Sequence, residues 1–182
     1  MDAFEQIVAM LLERDGYWVH TSYKVRLTKE EKVRIGIPSC PRWEIDIVAY
    51  RPKDNVVLAV ECKSFLNSPG VDYKSFSGQT VRGLRRYKLF TNGTLRKTVF
   101  SRLEKQLRQD GRLRPSARVK LCLAAGHIRK GSEADIQEHC RKNGWLLFGQ
   151  AWFREQFGKL ADADYENDIA IVAAKLAKAA AE

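Results

Sequence analysis

The stretch RWEIDIVAYRPKDNVVLAVECKS, residues 42 to 64, constrains this chain more than any other. Residues 43–50 alternate in the period of a strand, RPKDN supplies a turn, and residues 56–63 read as a second, mostly buried strand. Together they predict a hairpin. Alternation puts Ile45 and Ile47 on one face against Glu44 and Asp46 on the other, and Val60 and Cys62 opposite Glu61 and Lys63. Charged groups in such strands are costly unless they are paired or used. One ion pair would account for one carboxylate, whereas Asp46, Glu61 and Lys63 gather two carboxylates and an ammonium at adjacent strand ends.

The flanking segments suggest where that hairpin sits. Asp2 and Glu5 have capping-box spacing, and Phe4, Ile7, Val8, Leu11 and Leu12 form one helical stripe that stops at Asp15-Gly16. Residues 17–25 read as a strand, and 27–41 as a polar stretch closed by Pro38 and Pro41. Residues 64–79, rich in Ser, Gly and Pro, read as a long loop and a candidate flap. Helices follow over 80–91 and 94–110, separated by Asn92-Gly93. A buried strand over 118–126, a helix over 132–144, a short strand WLLFG and an alanine-rich terminal helix complete the chain. This order predicts one α/β domain over 1–182, with a core over 1–128, a C-terminal extension over 129–182, and a central mixed β-sheet flanked by helices on both faces.

Charge distribution narrows the function classes. The formal net charge is +10, and residues 82–114 hold eleven Lys or Arg against Glu104 and Asp110. So local an excess suits a polyanion, nucleic acid first and an anionic membrane surface second, although a solvated basic helix would read the same way. Arg82, Arg85, Arg86, Lys88, Arg96 and Lys97 are the candidate nucleic-acid contacts, with Tyr73 and Tyr87 for the backbone and bases. No run of about 18 apolar residues predicts a membrane span, and the acidic, amphipathic start is unlike a signal peptide, so a cytoplasmic protein is expected. Cys40, Cys62, Cys122 and Cys140 form no C-x-x-C pair, and His20, His127 and His139 lack ligand spacing, so neither zinc nor disulfides are expected. Both monomer and homodimer are compatible with the sequence.

Two carboxylates, Asp46 and Glu61, with the Cys62 carbonyl offer the hard oxygen donors that Mg²⁺ prefers, with Mn²⁺ as a substitute. Lys63 beside them could orient an attacking water and offset developing charge. Duller readings exist: Asp46 as a turn cap or arginine partner, and Glu61 with Lys63 as a plain cross-strand pair. Glu44 lies about 7 Å along the strand from Asp46, outside direct coordination. Glu13 falls on the solvent side of the first helix.

Asp46 followed fifteen residues later by Glu61-Cys62-Lys63, after a helix bearing Glu5, resembles the PD-(D/E)XK nuclease superfamily, which includes restriction endonucleases, Holliday junction resolvases and Mrr-like enzymes. The chain departs from the pattern in carrying Ile45 where the name-giving proline would sit. The resemblance implies a restriction-endonuclease-like fold over roughly residues 1–128 and a Mg²⁺-dependent nuclease acting on DNA. It also implies that Glu5 completes or orients the metal site, although capping alone accounts for that residue, and that Gln79 is a further site residue. The alternatives are a catalytically inactive nucleic-acid-binding module of the same fold and an RNA-directed or toxin-like nuclease. Carboxylates that repel phosphate count against the inactive module.

Overall fold

Local chemistry starts the first helix where the sequence predicts it. The computed structural model describes residues 2–39 and 42–180, so Cys40 and Pro41 lie outside the described residues. In α1 (Ala3–Arg14), Asp2 Oδ1 accepts from the Glu5 N–H at 2.8 Å and the Glu5 side chain accepts from the Asp2 N–H at 3.2 Å, so both orphan donors are satisfied. Phe4, Val8, Leu11 and Leu12 form its buried stripe.

Five strands form one mixed sheet in the order β1-β2-β3-β4-β5: β1 (Trp18–Val25), β2 (Trp43–Arg51), β3 (Val56–Lys63), β4 (Arg118–Ala125) and β5 (Leu146–Phe148). The first three are antiparallel neighbours, and β4 and β5 continue parallel to β3. Asn55 closes the β2–β3 turn at a φ of 53°, which asparagine tolerates. It accepts from the Tyr50 hydroxyl at 2.9 Å and donates through Nδ2 to the Pro115 carbonyl at 2.7 Å.

Both faces of the sheet are covered. One layer packs Phe4, Val8, Leu11 and Leu12 of α1 on Ile47, Leu58, Val60 and Cys62, joined by α8 (Gln150–Asp162) and α9 (Ile169–Ala179) through Phe153, Leu160 and Ile171. The other packs α6 (Gly93–Gln109) and α7 (Glu133–Asn143) on Val48, Val57, Leu121 and Leu123. This is an α/β architecture with a mixed sheet between helical layers. Among the described residues no helix is long and apolar enough to cross a membrane.

Several elements depart from expectation. The polar stretch before β2 contains a helix, α2 (Lys29–Arg34), capped reciprocally by Thr28 and Glu31 and tied to α6 where Arg102 meets Glu31 at 2.7 Å. The expected flap is instead packed. It holds α3 (Tyr73–Phe76), buries Val71 and Phe76 completely, and bridges Val71 to Ile128. The predicted helix over 80–91 breaks at Tyr87 into α4 (Val81–Arg86) and α5 (Lys88–Thr91), because the Tyr87 ring turns inward against Phe76 and Phe90. Helix α8 fills a stretch for which no element was expected.

Candidate active site

The strands carrying the charged residues separate where those residues lie. Pairing of β2 with β3 runs from Arg51↔Val56 to Ile47↔Val60. Beyond that point β2 continues with β1 to Trp43↔Val25, while β3 continues with β4 to Lys63↔Ala125. The sheet therefore forks between Asp46 and Glu61.

A second irregularity frees Asp46. The β1–β2 ladder steps from Thr21↔Ile47 to Tyr23↔Ile45, over Ser22 and Asp46, and Ser22 has a φ of 51°. Across this step the strands change face. Val19 and Ile47 pack with the α1 layer, whereas Tyr23 and Ile45 pack with the α6 layer. The expectation that Ile45 and Ile47 share a face is thus corrected. Asp46 lies at the switch and reaches into the fork, where its Oδ2 accepts from the Cys62 N–H at 2.7 Å in place of a ladder carbonyl.

Lys63 gathers the remaining groups. Its Nζ donates to the Cys62 carbonyl at 2.9 Å and lies 3.9 Å from Asp46 Oδ2 and 3.8 Å from Glu61 Oε2. All three side chains are about four-fifths buried, at 19%, 22% and 17% exposed for Lys63, Asp46 and Glu61. Burial first, then the charges of Asp46 and Glu5, push the Glu61 carboxyl up to about 7 against the pull of Lys63. Burial likewise holds the Cys62 thiol well above its ordinary value, so it acts as a small apolar group.

Two carboxylates outweigh one ammonium here, which costs stability unless another cation shares the site. Asp46, Glu61 and the Cys62 carbonyl are oxygen donors already drawn around one positive charge, and that donor set fits a hard divalent cation. It is an incomplete cage. Among the described residues no three His, Cys, Asp or Glu side chains come together as a metal cluster. The Glu5 carboxylate serves the α1 cap while its charge reaches Glu61 and Cys62. The α1 start lies over this end of the sheet. A Cβ on Gly126 would stand 3.0 Å from the Phe4 ring and 2.6 Å from the Ser64 carbonyl.

The other predicted residues divide. Gln79 is exposed before α4, and its Nε2 donates to Ser77 Oγ at 2.8 Å, a local contact and not one to the carboxylates. Glu44 pairs with Lys24, and Glu13 is exposed. Arg82, Arg85, Arg86, Lys88 and Lys97 are exposed and form no salt bridge among the described residues. Arg96 is part-buried and already engaged. Its Nη1 donates to the Leu89 and Phe90 carbonyls at 2.8 and 3.2 Å, and its guanidinium lies 4.9 Å from the Trp145 ring centre. Tyr87 is buried and cannot stack on a base, and Tyr73 packs edge-on to His139. The basic segment itself separates, since Arg102, Arg108 and Arg112 pair with Glu31, Glu104 and Asp110.

Arg129 was missed by sequence reasoning. It lies just beyond β4 and lines a cavity with Arg82 and Arg86 beyond the end of β3. No linear spacing joins positions 82, 86 and 129; the Val71–Ile128 bridge does.

No family model matches the chain, and no curated protein matches it. Among solved structures, the chain is similar to the crystal structure of AF1548, a protein of unknown function. The TM-score is 0.47 and the identity 18%, covering 91% of this chain and 73% of that one. So slight a likeness carries no argument about fold family or function.

Proposed function

We propose that this chain is a Mg²⁺-dependent nuclease of restriction-endonuclease-like fold that hydrolyses DNA phosphodiester bonds by water attack. The observation that carries this reading is the convergence of Asp46, Glu61 and the Cys62 carbonyl on Lys63 at the fork of the sheet. Asp46, Glu61 and the Cys62 carbonyl would hold the cation, Mg²⁺ or Mn²⁺. The chemistry such a cation supplies when bound is a lowered pKa for water and neutralisation of phosphoryl charge.

The chain's own groups do the rest. Lys63 lies beside both carboxylates, where its ammonium can orient the attacking water and offset charge developing on the phosphate. Asp46 is fixed by the Cys62 N–H, so its carboxylate is held in place before any ligand arrives. Glu5 adds negative potential from the helix side without leaving its cap. Arg85, Lys88 and Lys97, with Arg82 and Arg86, supply the sequence-independent attraction for a phosphate backbone.

One observation favours the inactive binding module. The Lys63 ammonium already sits among the three oxygens and partly neutralises them. Against it, a binder gains nothing from keeping Glu61 buried beside Asp46, whose charge disfavours that of Glu61. The deciding experiment incubates the purified protein with linear, circular, single-stranded and junction DNA, and with RNA, in Mg²⁺, Mn²⁺ or excess EDTA. Cleavage that needs the metal supports the nuclease. Cleavage undiminished by EDTA, or none on any substrate with either metal, overturns it.

A further inference from the structure

The cavity beyond the end of β3 is more enclosed than the open grooves of this molecule. It holds about 200 Å³ and is lined by Phe65, Asp72, Arg82, Arg86 and Arg129 together with Gly70. That is below the range of pockets for drug-sized ligands and far too small for a duplex. Phe65 follows Lys63 by two residues, which puts the cavity at the same end of the sheet as the fork.

Its walls are set in advance. The Val71 N–H donates to the His127 carbonyl at 3.0 Å, and the Arg129 N–H donates to the Val71 carbonyl at 2.9 Å. Gly70 has a φ of 89°, and a Cβ there would stand 2.8 Å from the Arg129 nitrogen, so only glycine lets the two segments close. Arg86 stacks its guanidinium 5.0 Å from the Phe65 ring centre. Asp72 is occupied as the α3 cap, its Oδ1 accepting from the Ser75 N–H at 3.0 Å.

Charge selects the ligand. Three guanidinium groups face one carboxylate, leaving an excess of roughly two positive charges. An internal phosphodiester carries a single negative charge, whereas a phosphomonoester carries about −1.5 to −2 near neutral pH. A volume of about 200 Å³ has room for a terminal phosphate group. We infer that this cavity binds the terminal phosphomonoester of a nucleic-acid strand and so seats a strand end beside Lys63. This rests on nucleic acid being the substrate, as proposed above, and assigns that substrate an end.

The test measures binding and cleavage separately. The full chain in EDTA is titrated, by fluorescence anisotropy, against short single strands of one sequence carrying a 5′ phosphate, a 3′ phosphate or hydroxyls at both ends. One phosphate-ended strand should bind about tenfold tighter than the hydroxyl-ended strand, equivalent to about 1.4 kcal/mol. Inorganic phosphate should compete for that advantage, and the Arg86→Ala/Arg129→Ala double variant should abolish it. Equal affinity for all three strands, or a preference that survives the double variant, overturns the inference. A parallel Mg²⁺ assay on circular DNA keeps the two claims apart. Cleavage without an end preference removes the cavity's role and leaves the nuclease, and an end preference without cleavage on any substrate does the reverse.

Discussion

The two ends of the β2–β3 pair are built from the same two strands and treat charge in opposite ways. At the closed end, Arg51 pairs with Asp54 and Tyr50 with Asn55, so each polar group finds its partner around a tight turn, and the ionic pair is about a third exposed. At the open end, Asp46 and Glu61 face one lysine with most of their surface buried, and Glu5 adds to the imbalance. An exposed, matched pair costs and contributes little, whereas a buried, mismatched group is retained against stability. The difference marks the open end as the place where the fold gives up stability.

Substitutions at the two ends should therefore separate activity from stability. The largest effect is expected at the fork. Lys63→Ala and Glu61→Gln should each lower metal-dependent cleavage by about 100-fold or more, measured as initial rates on the substrate best cut by wild type. Comparable loss from Asn55→Ala at the closed end would break the comparison.

Glu61 also gives a pH signature. Its folded carboxyl titrates near 7 against an ordinary 4.5, so below about pH 4.5 it is protonated in folded and unfolded chains alike and costs nothing. As pH rises to 7 the unfolded chain releases the proton first, and stability falls by a contribution on the order of 3 kcal/mol. In EDTA, Glu61→Gln should be more stable than wild type at pH 8 and nearly equal to it at pH 4.5, as read by urea denaturation. A difference that does not change with pH would mean that Glu61 is not held in this environment.

Smaller effects belong to the closed end. Asn55→Ala loses two hydrogen bonds and must keep a positive φ, so it should cost about 1 to 3 kcal/mol while leaving the cleavage rate per folded molecule unchanged. Arg51→Ala removes a partly exposed pair together with a bond to the Asp15 carbonyl and a contact over the Tyr17 ring, and should cost about 1 kcal/mol.

What could be read in the sequence follows from how local each cause is. Helix α1 was legible because its cap and stripe lie within one segment, and β2 and β3 because alternation and an RPKDN turn are short-range signals. Helix α2 was not, since it buries no residue and shows no stripe. Its one signal was the Thr28–Glu31 capping spacing. The break at Tyr87 depends on Phe76 and Phe90 meeting its ring, which no neighbouring residue announces. In the candidate site, Asp46, Glu61 and Lys63 could be named from the strands alone. Their gathering at adjacent strand ends could be expected too; the means could not, because it arises from a change of strand partner and from the unusual backbone at Ser22. Arg96 looked like its exposed neighbours until its carbonyl partners were in view, and Arg129 had no signal linking it to Arg82 and Arg86.

The most direct test of the fork is Asp46→Asn, with DNA binding and cleavage followed in the same preparation in Mg²⁺. The amide can still accept from the Cys62 N–H while removing one negative ligand, so cleavage should disappear and affinity should hold or rise as repulsion of phosphate falls. Unchanged cleavage and binding relative to a wild type that binds DNA would contradict the nuclease reading.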